Sequence, residues 1–173
     1  IDPKFVNALT NLGNLYFELN DYENSIKILE KASYINSENA LAHYNLGLVY
    51  QSVGERKKAI NSLNNVLQLN PSNTNADKLI SRMTKYDENN PHIKEMENKL
   101  YNLKLSDFQK IQLYFSLGKA YEDMKNYEKS FNFIKLGNDN KKKLLNYSLK
   151  NEIKTFANLK KYFNHFDFEN KNK

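Results

Sequence analysis

A short residue pattern returns along this chain with a period of about 34 residues, a length typical of helical repeats. A Leu-Gly pair followed by Tyr occurs three times, as Leu12-Gly13 with Tyr16, Leu46-Gly47 with Tyr50, and Leu117-Gly118 with Tyr121. The step between the last two copies is slightly more than twice the period, so we expect a degenerate, lengthened unit between them. A fixed period of this length indicates stacked helix pairs, because no single pair can bury its own apolar face.

The second half of each unit carries the pattern of a partner helix. A small residue stands twelve positions after each glycine, at Ser25, Ala59 and Ser130. Because glycine and these residues have little or no side chain, two antiparallel helices can approach closely at that level. We expect the repeat tyrosine to fill the volume beside the contact. Apolar spacing predicts helices at 5–19, 22–35, 39–53, 56–69, 73–87, 91–104, 107–125, 127–144 and 149–164.

These residue types and spacings resemble the tetratricopeptide repeat. The resemblance implies an all-α fold, an α-solenoid of antiparallel helix pairs with a C-terminal helix. The predicted units are the tail of a preceding repeat at 1–5, repeats at 6–39 and 40–73, a degenerate helix pair at 74–110, a repeat at 111–144, and a capping or connecting helix with a basic tail at 145–173. Because the chain starts at Ile1 and not at Met, we expect it to be a fragment of a longer protein.

Residues 86–163 show a second, longer resemblance. Leu105-Ser106-Asp107 is followed by the stretch from Leu113 to Asp123, by Asn126-Tyr127-Glu128-Lys129-Ser130-Phe131, and by the basic run Lys141-Lys142-Lys143. This order is similar to the last repeats of bacterial tetratricopeptide-repeat sulfotransferases, where it precedes the catalytic domain. The resemblance implies a parent enzyme that transfers sulfuryl groups from a sulfonucleotide. The strand and phosphate-binding loop needed for that chemistry are not found in this sequence, so we expect no catalytic residue and no enzyme activity here.

The family resemblance also implies where a protein or peptide partner binds. The helices that open each repeat line the concave surface, and their candidate residues here are Asn7, Thr10, Asn11, Asn14, Phe17, Leu41, Tyr44, Asn45, Leu48 and Gln51. Asn11 and Asn45 each precede the repeat glycine by two residues and resemble the asparagine ladder of O-GlcNAc transferase-type repeats. An amide can donate to and accept from a peptide backbone. The alternative is that two asparagines reflect composition, since the chain holds 28 of them.

Several classes of site are not expected. The basic residues with which chaperone-binding repeats clamp a terminal carboxylate are missing, because Thr10 and Tyr44 occupy a candidate position. The chain has no cysteine, which excludes disulfides and thiolate chemistry and fits a reducing compartment, so we expect a cytoplasmic location. Three scattered histidines predict no metal site, and we expect no cofactor. No apolar stretch approaches the length of a membrane span.

The net charge of +6 lies entirely in the last part of the chain. Residues 141–173 contain nine lysines against three acidic residues, whereas residues 1–140 are neutral. Enrichment in lysine and asparagine is also what an A+T-rich genome produces. We therefore favour a non-catalytic peptide-binding scaffold, the repeat region of a sulfotransferase. The alternatives are a free-standing adaptor and a binder of nucleic acid or anionic surfaces through the lysine-rich tail.

Overall fold

The computed structural model describes residues 3–145 and 148–163, and within them it contains α-helices and no strand. The helices are α1 (Pro3–Glu18), α2 (Tyr22–Ile35), α3 (Ala40–Ser52), α4 (Arg56–Leu69), α5 (Thr74–Met83), α6 (Pro91–Asn102), α7 (Asp107–Asp123), α8 (Tyr127–Leu144) and α9 (Leu149–Phe163). The predicted all-α fold is confirmed. Part of the predicted upstream tail and the basic tail beyond Phe163 lie outside the described residues.

The helices stack in two layers. Three antiparallel hairpins form between α1 and α2, α3 and α4, and α7 and α8. Each successive unit is joined to the last because α2 packs on α3, α4 on α5, and α6 on α7. The helices α1, α3, α5 and α7 form one layer, in which α1 contacts α3 and α5 contacts α7, and we call it the inner layer after the usual arrangement of such repeats; α2, α4, α6 and α8 form the outer layer.

Asparagine side chains start many of these helices. The side chains of Asn39, Asn73 and Asn126 each accept a hydrogen bond from the backbone N–H three residues later, as does that of Asp21. Such caps satisfy backbone donors that have no partner within the helix. Some of the 28 asparagines therefore have a local structural role as helix caps.

The three repeat glycines have the same surroundings. A Cβ atom on Gly13 would lie 2.5 Å from a side-chain carbon of Leu29, and on Gly47 it would lie 2.7 Å from one of Leu63. The same atom on Gly118 would lie 2.7 Å from Ile134. Each hairpin therefore closes at a level where only glycine fits.

A hydrogen bond that the sequence pattern does not reveal strengthens two of these contacts. The Ser25 hydroxyl donates to the Gly13 carbonyl at 2.7 Å, and the Ser130 hydroxyl donates to the Gly118 carbonyl at 2.8 Å. Both serines are buried. In the second hairpin Ala59 takes the same position and keeps only the close approach.

The third helix pair is built differently, because α5 and α6 do not pack backbone against backbone. The glycine position is occupied by Ser81, and twelve residues later stands Ile93 in place of a small residue. The apolar residues of α5 join a core cluster with α3 and α4, whereas Ile93 and Met96 of α6 join a cluster with α7. The two helices of the predicted degenerate unit thus pack their apolar side chains against different helices, α5 against α3 and α4, and α6 against α7.

Buried charges bridge the gap between α5 and α6. Asp77 is fully buried, and its carboxylate accepts hydrogen bonds from Lys99 Nζ at 2.7 and 2.9 Å and lies 3.0 Å from His92 Nε2. The other nitrogen of His92 lies 2.7 Å from the Tyr86 hydroxyl. A paired carboxylate can be buried where an unpaired one cannot. Long side chains therefore replace the backbone contact of the other pairs.

The last helix does not cover the open end of the solenoid. Every residue of α9 is exposed, including Phe156 at 69% and Phe163 at 57%. On α8 the side chains of Tyr127 and Phe131 are also exposed. The described part of α9 therefore forms no capping contact, and the connecting role that the sequence analysis also allows stays a prediction; Phe166 and Phe168 lie outside the described residues. No helix in the described part of the chain is long and apolar enough to cross a membrane.

Replacing Gly47 with alanine tests the close approach. We expect Gly47→Ala to lower the free energy of unfolding by about 1–3 kcal/mol, because the new Cβ overlaps the Leu63 side chain. Chemical denaturation measures the change. The matched control is Gly137→Ala within α8, where the nearest atoms are on the Phe115 ring at 3.0 Å and beyond. That ring can shift and alanine favours the helix, so the control stays within about 1 kcal/mol of the parent. Equal effects of the two changes would contradict the account.

Candidate functional site

The inner face is defined here as the solvent-facing side chains of the inner-layer helices. Among the sequence-predicted binding residues, the structure leaves Asn7, Asn11 and Leu41 exposed. It half-buries Asn14, Phe17, Tyr44, Leu48 and Gln51. Thr10 and Asn45 are buried, with 1% and 7% of their surface accessible. The predicted set therefore divides into accessible polar groups and a more buried floor.

Thr10 does not belong to the accessible set. Its hydroxyl donates to the Val6 carbonyl at 2.9 Å and accepts from the Asn39 side chain at 3.0 Å. Asn39 also caps α3, so Thr10 ties the first hairpin to the second. Phe17 likewise packs against the core and lies 5.9 Å from the Tyr22 ring, centroid to centroid. The buried Thr10 side chain therefore stabilises the scaffold, and the buried part of the Phe17 ring does the same.

Asn11 on α1 presents an open amide, whereas its repeat equivalent Asn45 lies between helices. Beside Asn45, Tyr44 and Leu48 pack partly against the core of the second hairpin. Burial raises the pKa of the Tyr44 hydroxyl above its ordinary value, so the group stays protonated at neutral pH. The floor of the inner face at α3 is therefore largely apolar with one phenol donor.

The sequence analysis missed the contribution of α5 to this face. Asn75, Lys78 and Arg82 lie one repeat period after Leu41, Tyr44 and Leu48, and a simple shift by that period would have found them. Asn75 and Arg82 are exposed and Lys78 is half-buried. Among the residues that the structure describes, neither cation forms an ion pair. The α5 end of the inner face is therefore basic.

Lys119 on α7 adds no free charge to this face. Its ammonium donates to the Asp123 carboxylate and to the Thr84 carbonyl, and it lies 5.0 Å from the centre of the Tyr86 ring. Burial alone would raise the pKa of Asp123, but the hydrogen bonds from Lys119 and from the Tyr86 backbone hold that pKa below its ordinary value. The Lys119 ammonium therefore links α7 to the end of α5.

A cleft of about 660 Å³ opens between α4 and α6, with the end of α5 as its floor. One wall carries a stripe of α4, namely Ile60, Asn64, Leu67 and Gln68. The other wall carries Pro91, His92, Glu95, Asn98 and Lys99 of α6. The cleft lies where α5 and α6 stand apart, so the loss of the hairpin contact is its structural cause. In the described ranges, no group of three His, Asp or Glu side chains is placed to hold a metal ion.

Removing the Asp77 charge tests the bridge beside this cleft. We expect Asp77→Asn to lower the free energy of unfolding by about 3–5 kcal/mol, because the Lys99 ammonium would remain buried without its counter-ion. Thermal and chemical unfolding measure the loss. The control Asp107→Asn changes an exposed carboxylate at the start of α7 and is expected to cost below about 1 kcal/mol. If both variants were equally stable, the bridge would not hold α6.

Family models of the tetratricopeptide repeat match most of the regular units. A TPR repeat model matches residues 13–54, and two models described as tetratricopeptide repeat match residues 40–73 and 111–139. The stretch between the last two matches holds α5 and α6, the pair without the glycine contact. Among curated proteins, none matches the chain at a significant level.

Solved structures of MamA have a similar fold. One crystal structure of MamA is 26% identical, covers 84% of this chain and 84% of its own, and superposes with a TM-score of 0.67. A second is 26% identical and covers 86% of this chain and 79% of its own, with a TM-score of 0.66. MamA from Desulfovibrio magneticus RS-1, residues 41 to the end, is 17% identical and covers 80% and 76%, with a TM-score of 0.62. The chain thus contains tetratricopeptide repeats and folds as a tetratricopeptide-type helical solenoid.

Proposed function

We propose that this chain is a non-catalytic scaffold that binds an extended segment of a partner protein along its inner face. Tetratricopeptide repeats bind proteins or peptides, and the composition of this face supports the same use. The observation that carries the proposal is the amide stripe on α1, where Asn7, Asn11 and Asn14 follow one another at helical spacing. None of the three is needed for the buried core.

The amides fit the backbone of an extended peptide. Residues four and three apart on a helix lie on one face, so the three side chains form a row along α1. Each amide offers both donors and an acceptor, which is what successive peptide groups require. Asn14 donates to Glu18 Oε1 at 2.8 Å, so its carbonyl oxygen is the part best placed to accept from a ligand. The row can therefore bind the backbone of a peptide whatever the side chains of that peptide are.

Selectivity comes from the neighbouring inner-layer helices. At α3 the half-buried Tyr44 and Leu48 give an apolar floor that suits an apolar side chain of the ligand. At α5 Lys78 and Arg82 attract a carboxylate, and the arginine fork can bind it with two parallel hydrogen bonds. A ligand that spans the face thus meets amides, then an apolar patch, then cations. We propose a peptide with an apolar residue followed by an acidic group.

Peptides selected on the purified chain from a random display library provide the test. Isothermal titration should show that Asn7→Ala with Asn11→Ala weakens binding by about tenfold or more, since two amide hydrogen bonds are lost. Arg82→Glu should weaken it by a similar factor and reverse the preference for acidic peptides. The salt dependence of binding should also fall, because an exposed charge pair is screened.

The control is Asn132→Ala, which removes an exposed amide from the outer-layer helix α8. This variant should bind the selected peptides as the parent does. If the inner-face variants kept full affinity, or if the control lost as much as they did, the inner face would not be the binding surface.

Whether these repeats belong to a larger enzyme is a question that only sequence resemblance addresses so far. A free-standing adaptor is compatible with the similarity to MamA, which extends over most of both chains. A sulfotransferase parent rests only on the motifs between residues 86 and 163. Sequencing the coding region beyond codon 173 distinguishes them: a sulfonucleotide-binding strand and loop would support the enzyme, and a stop codon would end that hypothesis.

A further inference from the structure

Two repeat tyrosines are held in the same way. Tyr50 of α3 donates its hydroxyl hydrogen bond to Glu30 Oε1 at 2.5 Å, and Lys58 Nζ lies 5.5 Å from its ring centre. Tyr121 of α7 donates to Glu97 Oε1 at 2.6 Å, and Lys129 Nζ lies 4.8 Å from its ring centre. Each tyrosine is 6% exposed. The acceptor comes from the preceding outer helix and the cation from the following one.

The hydroxyls of these tyrosines act as donors. Burial and the hydrogen bond to Glu97 raise the pKa of Tyr121 to about 12. Burial and the hydrogen bond to Glu30 raise the pKa of Tyr50 as well. A phenol with a raised pKa stays protonated at neutral pH. A regular unit of this chain therefore contains a slot between two outer helices that is shaped for a neutral phenol.

In the third unit the position equivalent to Tyr50 is not a tyrosine, and Tyr86, two residues further on, lies against His92 and does not line the cleft. The residues one repeat period after Glu30, Tyr50 and Lys58 are Asn64, Thr84 and His92. All three line the cleft between α4 and α6. Thr84 lines the cleft but has no ring, and the backbone there is extended because α5 ends at Met83. The cleft is thus the tyrosine slot of the third unit without its tyrosine.

The groups around this slot favour an uncharged aromatic ligand. Ile60, Leu67 and Ile80 provide an apolar lining for a ring. Asn64 and Gln68 are exposed on the α4 wall and offer amide oxygens to a hydroxyl donor. The ammonium of Lys99 is already bonded to Asp77, and the exposed carboxylate of Glu95 stands on the other wall. A phenol is accepted here, whereas a phosphorylated phenol meets a carboxylate and, among the described lining residues, no free cation.

From this equivalence we propose that the cleft is a binding site for a tyrosine side chain supplied by a partner polypeptide. The ring inserts between α4 and α6, and its hydroxyl donates to Asn64, as Tyr50 donates to Glu30. This site belongs to the outer layer and uses none of the inner-face residues. The partner would thus supply from outside the ring that is missing at position 84.

The probe for this site is N-acetyl-tyrosinamide, and its binding is measured by ¹⁵N-correlated NMR of the full chain. We expect saturable shifts in the side-chain amides of Asn64 and Gln68, with an affinity in the millimolar range suited to a single ring. N-acetyl-phenylalaninamide should bind about fivefold more weakly, the effect of one missing neutral hydrogen bond. O-phospho-tyrosine should cause no shift at these amides.

Variants then separate recognition from folding. Asn64→Glu recreates the carboxylate of the other units and should tighten tyrosine binding by about fivefold, since a charged acceptor is stronger. Asn64→Leu should remove the preference of tyrosine over phenylalanine, and Asn132→Leu on α8 should change nothing. Thr84→Tyr should fill the slot from within and abolish binding.

Two results would overturn the proposal. One is equal binding of the tyrosine and phenylalanine probes in the parent chain. The other is an Asn64→Glu variant, folded by its NMR spectrum, that binds tyrosine no better than the parent does.

Discussion

The close approach of two helix backbones at a glycine is the contact on which the rest of this structure depends. At Gly13, Gly47 and Gly118 the partner helix lies so near that a methyl group would overlap a leucine or isoleucine side chain. Short helices are marginal in water by themselves, so their stability comes from such packing. The contact fixes the two helices of a hairpin, and the hairpins then stack because each leaves an apolar face for the next.

The third unit shows how the packing changes where this contact is absent. With Ser81 and Ile93 at the two positions, α6 stands away from α5 and shares its core with α7. The gap between α5 and α6 is bridged by the buried carboxylate of Asp77, which pairs with Lys99 and His92. The same separation opens the cleft beside α4. The irregular unit therefore links the first two hairpins to the last one, and it also forms a second concave site, the cleft beside α4.

The repeat period is sufficient to predict the fold, because glycine and tyrosine positions report packing directly. It also predicts helix ends within a residue or two, except that α5 ends four residues before the expected position. The pattern cannot show that Asp77 and Lys99 meet, since that contact joins residues outside the repeat consensus. It also assigns Thr10 to the binding face, although the buried hydroxyl links two hairpins. Lys78 and Arg82 can be placed by shifting Tyr44 and Leu48 by one period, but the degenerate unit lacks the repeat glycine that would prompt that shift.

Native-state hydrogen exchange tests the central claim, that backbone contact at glycine holds regular pairs while side chains alone hold α6. Amides exchange through openings whose free energy reflects local packing. The account predicts that the amides of α6 exchange faster than those of α3, α4 and α7, with α5 protected together with α3 and α4. Equal protection of α6 and α4 under the same conditions would contradict it.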